Sequence, residues 1–240
     1  MFIMKSQPLT GVKGKDHRSS LVIAIDGPAG AGKSTVARLL AARLGYLYLD
    51  TGALYRGLAW KVRRAGCDPH DGPAVERLLD RTTIDVRHDL DGGMAVLVDG
   101  KDVTSELREP EVSALASMIS VLPAVRDWLL PVQRRIGAQG AVVAEGRDIG
   151  TRVFPSADVK FYLEAKTEVR ARRRYQELLA AGRGVSLAET RDDLQARDLR
   201  DETRTHAPLR RADDAVMIDT SDLEVDAVLN HMLSAIAAKL

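Results

Sequence analysis

Between Ile23 and Leu40 the chain reads IAIDGPAGAGKSTVARLL: an apolar run, three spaced glycines, a lysine, and then an amphipathic stretch. Glycine loses more conformational freedom on folding than any other residue, so three of them in so short a span imply that the backbone itself must approach something closely. Gly27, Pro28, Ala29, Gly30, Ala31, Gly32, Lys33 and Ser34 satisfy G-x-x-x-x-G-K-[ST], the phosphate-binding loop. Inward-turned N–H groups make such a loop a concave anion site, and the helix that follows adds its positive end. Lys33 offers a point charge to β- and γ-phosphates, Ser34 offers a hydroxyl to Mg²⁺, and Thr35 completes the ATP-binding stretch. A ligand-free glycine turn would account for the glycines but not for lysine and serine directly after them. The loop demands a strand before it and a helix after it, which commits the chain to an α/β fold.

The surrounding pattern agrees. LVIAID (21–26) is short, β-branched and apolar, as a buried parallel strand should be. Val36, Leu39, Leu40 and Leu44 fall at helical spacing, YLYLD (46–50) reads as a second strand, and Leu54, Leu58 and Val62 mark a second helix. TIDVRHD (83–89) and MAVLVDG (94–100) flank a hairpin turn, LDGG, at 90–93 and break the βα rhythm. An inserted module is expected there, roughly 67–109. Two helical stretches lie either side of Pro123, and the rhythm resumes with strands at 141–145 and 159–164. A helix rides on Ala171, Tyr175, Leu178 and Leu179. A strand at 214–219 and a closing helix on Val225, Val228, Leu229, Met232 and Ile236 complete the expected parallel sheet flanked by helices.

Composition narrows the class. A formal charge of +1 speaks against a nucleic-acid coat, and one cysteine, Cys67, allows no internal disulfide and suits a reducing compartment. No apolar run reaches membrane-spanning length and no signal-peptide core is visible, so a soluble, cytoplasmic protein is expected. Residues 1–20 are polar, basic and aperiodic and are expected to be a flexible tail; organised sequence begins at Leu21. The five histidines lie far apart and fit no metal-ligand spacing.

A phosphate-binding loop does not name a reaction. Guanine-reading switches use an N-K-x-D type motif, but the only asparagine here is Asn230 in the last helix. No apolar run ends in the D-E pair of an AAA-type ATPase. Small-molecule kinases remain, and the basic residues favour them: from Arg170 to Arg211 there are eleven arginines and no lysine. Guanidinium forks match phosphate oxygens bidentately and keep their proton, which suits a site that clamps several phosphates.

Three further motifs, D-T-G-A-L-Y-R (50–56), V-A-E-G-R-D-I-G-T (143–151) and R-D-L-R-D-E-T-R-T-H-A-P-L (197–209), follow that loop in order, with D-T-S at 219–221. In this combination the chain from Leu21 onward resembles the bacterial cytidylate kinases. The resemblance implies transfer of the γ-phosphoryl group of ATP, with Mg²⁺, to CMP or dCMP, by a chain acting as a monomer. Lys33, Arg56, Arg147 and Arg204 would then be the catalytic cations. The family's cytosine contacts fall on Ser117, Arg126 and Asp148, its sugar contacts on Arg197 and Asp201, and Thr51 and Tyr55 lie near the nucleoside monophosphate. A mobile lid is implied over 180–195. The chain departs from common family residues at Glu145, at Arg152 and in its N-terminal tail. The rivals are another small-molecule kinase, for thymidylate or shikimate, and a nucleotide-binding regulator that phosphorylates no acceptor.

Overall fold

The structure is a computed structural model and describes residues 20–89 and 93–239. The expected tail, apart from Ser20, and the tip of the expected hairpin turn at 90–92 lie outside the described residues.

The run VIAID forms β1 (Val22–Asp26), with Ile23, Ala24 and Ile25 fully buried. It sits at the centre of a five-stranded sheet between β6 (Val142–Gly146) and β7 (Val159–Glu164), with β2 (Leu47–Asp50) and β8 (Val216–Asp219) at the edges. The order is β2-β6-β1-β7-β8, and every pairing is parallel. Side chains alternate across such a sheet. Ala24, Val142 and Ala144 accordingly join one core cluster while Ile23, Ile25 and Val143 join the other.

Helices cover both faces. α1 (Lys33–Leu44) and α8 (Val225–Ala237) pack on the second cluster through Val36, Leu40, Val228 and Met232. α2 (Thr51–Arg64), α4 (Pro110–Ile119) and α5 (Pro123–Gly137) pack on the first through Leu54, Leu58, Val112, Ile119 and Leu129. Both clusters are large enough to hold the sheet from each side, since a fully buried Leu or Ile contributes about 1.5–3 kcal/mol. Asp50 ends β2 and caps α2, its Oδ1 accepting the Ala53 N–H at 2.9 Å.

Within 67–109 the expected antiparallel pair is present as β3 (Ile84–His88) and β4 (Met94–Val98). The sequence pattern did not reveal α3 (Gly72–Leu79), which has only Val75 and Leu79 buried, or the two-residue strand β5 (Lys101–Asp102). This small sheet lies against α2, where Gly57 leaves room: a Cβ there would stand 3.0 Å from Val96 Cγ1.

α6 (Thr167–Ala180) and α7 (Leu187–Thr203) form a helical hairpin across the expected lid. The chain turns between them with Gly182 at φ 72°, and Ser186 and Glu189 form a reciprocal capping box that starts α7. Among the described residues no single helix is long and apolar enough to cross a membrane; α4 and α5 qualify only as a pair, bent by 104°.

Both the phosphate-binding loop and the G-R-D-I-G segment leave the carboxyl edge of the sheet, from neighbouring strands whose last residues, Asp26 and Gly146, are register partners. Ligands of open α/β sheets bind at that edge.

Candidate active site

At the carboxyl edge, β1 gives way to Gly27 at φ 145°. A Cβ there would stand 1.9 Å from the Leu163 carbonyl oxygen, so no other residue fits. Carbonyls of the loop are occupied from outside it: Ala29 O by Arg170 Nη1 at 3.1 Å and Ala31 O by Thr220 Oγ1 at 3.2 Å. Thr220 belongs to the D-T-S motif, which the sequence left without a role. Gly32 caps α1 with no side-chain hydrogen bond, so the first-turn N–H groups keep the free donor capacity of a helix start. Ser34 and Thr35 are exposed there. Lys33 is buried, and its Nζ donates to Pro28 O at 2.6 Å. Burial, and then Arg147 and Arg197, pull this ammonium well below its usual pKa. An arriving polyanion would reverse that penalty.

Beside that loop, β6 ends at Gly146 and delivers Arg147 and Asp148 into a line of alternating charge. Arg147 Nε donates to Asp201 Oδ2 at 2.8 Å, and Asp201 Oδ1 accepts from Arg204 Nη1 at 3.4 Å. Arg204 Nη2 lies 3.9 Å from Asp148 Oδ1, and Asp148 Oδ2 accepts from Arg126 Nη2. Burial works against the charges on Arg147 and Asp201 but is outweighed by the charges around them, for Arg147 by Asp201 with Glu145 and Asp198, and for Asp201 by Arg147 and its neighbours. Arg147 is raised and Asp201 is held low, the latter with help from Arg197 and Arg204. Two buried donors, Arg126 Nε and Arg204 Nη2, have no hydrogen-bond partner among the described residues. Leaving such groups unmet is costly, so a polar ligand here would recover the loss.

The remaining expected residues surround this line. The Arg126 guanidinium lies over the Tyr55 ring, 5.6 Å from its centroid. Ser117 is buried on α4, and its Oγ accepts from Arg200 Nε at 3.1 Å. A cleft of about 470 Å³ lined by Arg200, Arg204 and His206 opens beside them. Arg197 is lowered to about 10 by burial and then by Arg147, with Arg56 also close enough to contribute. Arg56 itself pairs with Asp50 at 2.6 Å. Thr51 gives its hydroxyl hydrogen to Glu145 O at 2.7 Å, which fastens the start of α2 to β6. All the expected site residues thus come from the carboxyl edge and the helices beside it. Asp148 caps no helix with its side chain and does not pair with Arg147, its neighbour in sequence.

Glu145, Asp26 and Arg170 are buried charged groups for which the sequence pattern set out no role. Glu145 accepts from Tyr48 Oη at 2.6 Å and shares a hydrogen bond with Ser34; burial, and then Asp50, raise its pKa. Asp26 faces the segment after Asp148. Arg170, besides holding Ala29 O, pairs with Asp198 of α7. A carboxylate ending an otherwise apolar strand was a usable signal for Asp26 and Glu145; nothing in the pattern set Arg170 apart from its arginine neighbours. Arg152 reaches Asp127 of α5, so this departure from the common family residue bridges the G-R-D-I-G loop to the helix carrying Arg126.

Comparison with known proteins bears on this geometry. The cytidylate kinase family profile matches residues 23–238. A cytidylate kinase of Geobacter sulfurreducens is 50% identical over 220 residues, covering 91% of this chain and 94% of its own. One of Syntrophotalea carbinolica is 49% identical, covering 91% and 93%. Among solved structures, a shikimate kinase from Acinetobacter baumannii matches at 17% identity with a TM-score of 0.47, covering 93% of this chain and 97% of that one, a likeness too distant to bear on activity. The extent and level of the sequence matches settle the kinship: this chain belongs to the cytidylate kinase family.

Proposed function

We propose that the protein transfers the γ-phosphoryl group of ATP to CMP or dCMP, giving ADP and CDP or dCDP. The observation that carries this reading is the buried line Arg147–Asp201–Arg204–Asp148–Arg126 beside the phosphate-binding loop, in a chain of this family. A sensor of nucleotide has no use for a second bank of cations.

In this reading residues 27–35 hold the ATP phosphates through backbone N–H groups, with Lys33 moving from Pro28 O to the phosphate oxygens. Ser34 would hold the Mg²⁺ that accompanies ATP; its exposed hydroxyl and the nearby Glu145 carboxylate are the hard oxygen donors that ion prefers. Bound there, the metal would spread the charge of the β- and γ-phosphates. Arg56, Arg147 and Arg204 clamp the acceptor phosphate, whose oxygen is already nucleophilic at neutral pH, so no general base is required. Their work is positioning and charge stabilisation in a site from which water is excluded. Asp148 accepts from the cytosine N4 amine, Arg126 and Ser117 donate to its ring acceptors, and Arg197 and Asp201 hold the sugar, with Thr51 and Tyr55 alongside. We read the chain as acting as a monomer, and ATP and CMP as the substrates of a cytoplasmic enzyme.

The test is ADP release with a panel of nucleoside monophosphates. CMP and dCMP should far exceed UMP, AMP and thymidylate, and equal rates across the panel would refute the assignment. The segment 67–109 is read as the monophosphate-binding insertion and 180–195 as the lid. Gly182, in the left-handed region, and Gly184 give the α6–α7 corner its freedom. Amide exchange over 180–190 should slow when ATP and CMP analogues are bound together; unchanged exchange would contradict a closing lid.

A further inference from the structure

Asp26 is a buried carboxylate to which the reading above gives no contact with either nucleotide. Its Oδ1 accepts the Ile149 N–H and its Oδ2 the Gly150 N–H, both at 2.7 Å. These amides open the π-type turn at Ile149–Val153 and, as first-turn N–H groups, have no preceding carbonyl within it to donate to; the Asp148 carbonyl accepts instead from the N–H groups of Arg152 and Val153. An aspartate at the position of Asp148 would ordinarily cap such a turn with its own side chain. Here it makes no cap bond, and its carboxylate goes to Arg126. The capping is done from another strand, 123 residues earlier. The fit is close: a Cβ on Gly150 would stand 3.0 Å from Lys160 Cδ and 3.4 Å from Asp26 Oδ2.

We propose that Asp26 is a positioning residue: by capping the turn in place of Asp148 it frees that carboxylate for the acceptor base and sets Arg147 and Asp148 against the phosphate-binding loop. The proposal rests on the acceptor-binding reading of Arg147 and Asp148. It links the two substrates' loops through one side chain, since the residue after Asp26 is Gly27.

The electrostatics point to function over stability. Burial raises the Asp26 carboxyl to about 6 against the two N–H bonds, with Asp148 raising it further and Lys33 lowering it; Tyr162 and Lys160 of β7 face the same corner. An acid with a raised folded-state pKa gives its full stability below its unfolded value and loses it as pH climbs through the folded one. At neutral pH the ionised Asp26 is therefore held at a cost to the fold.

Asp26→Asn keeps the shape but presents one oxygen and one NH₂ to two N–H groups, so one amide loses its acceptor. At pH 7.5 kcat/KM for CMP should fall about a hundredfold, the scale of an ångström's misplacement, mostly through KM for CMP. ATP affinity should hold and the preference for CMP over UMP should narrow. Wild-type CMP kinetics in the variant would overturn the proposal. So would a parallel loss of ATP and CMP affinity, which is what a merely structural strut would give. If the variant does not fold, exchange of the Ile149 and Gly150 amides in the wild-type protein decides: protection comparable to β6 supports the brace, and fast exchange refutes it. Arg147→Ala is the control. If it too leaves CMP turnover intact, the reading of the loop has failed; if only Asp26→Asn is silent, the brace alone has failed.

Discussion

Lys33→Ala is expected to lower kcat by about a hundredfold or more, the usual consequence of removing one preorganised donor from a charge-developing transition state. The structure adds an expectation about the fold. Lys33 is buried, its Nζ bonded among the described residues only to Pro28 O, and its ammonium is disfavoured by burial and by neighbouring arginines. Removing it should leave Tm unchanged or slightly raised. Steady-state kinetics and a melting curve on one preparation check both halves, and a variant with near-normal turnover would remove Lys33 from the catalytic set.

The second large effect concerns specificity. Asp148→Asn should weaken CMP and relatively favour UMP, because asparagine can present an NH₂ to uracil O4 where aspartate repels it. A site built to hydrogen-bond a substrate group can discriminate by roughly 10⁴, since mismatched analogues leave buried polar groups unpaired. The variant also uncouples Arg126, whose side chain is 3% exposed, so general losses in stability and rate are expected. Those losses fall on both substrates alike. The ratio of kcat/KM for CMP to that for UMP isolates base reading, and an unaltered ratio would exclude Asp148 from it. The alternative that Asp148 merely steadies Arg147 already has no support in the geometry, since Arg147 is held by Asp201.

What the sequence disclosed was local. The phosphate-binding loop, the five core strands and α1, α2 and α8 were readable because glycine spacing and apolar periodicity act within a few residues. α7 was not, because its buried stripe is Thr190, Leu194, Asp198 and Asp201. The spacing is helical, but three of the four are polar, and a search for apolar periodicity passes over them. The site residues could be named from motifs, whereas their pairing could not. Arg147 and Asp148 are adjacent, yet their partners are Asp201 and Arg126, 54 and 22 residues away. Asp26 shows the same limit, since its partners are backbone amides, which carry no residue identity at all.

The in-register departure of the two loops from β1 and β6 has a mechanical meaning. Adjacent strands are separated by about 4.8 Å, a distance fixed by the hydrogen-bond ladder. Asp26 and Gly146 are opposed across that ladder, so the roots of the phosphate-binding loop and the G-R-D-I-G loop are spaced by the sheet itself. In the proposed reaction a closing lid would not have to measure the gap between the reacting groups. The sheet would serve as a fixed gauge, leaving to such a lid only the task of opening and shutting the enclosure around it.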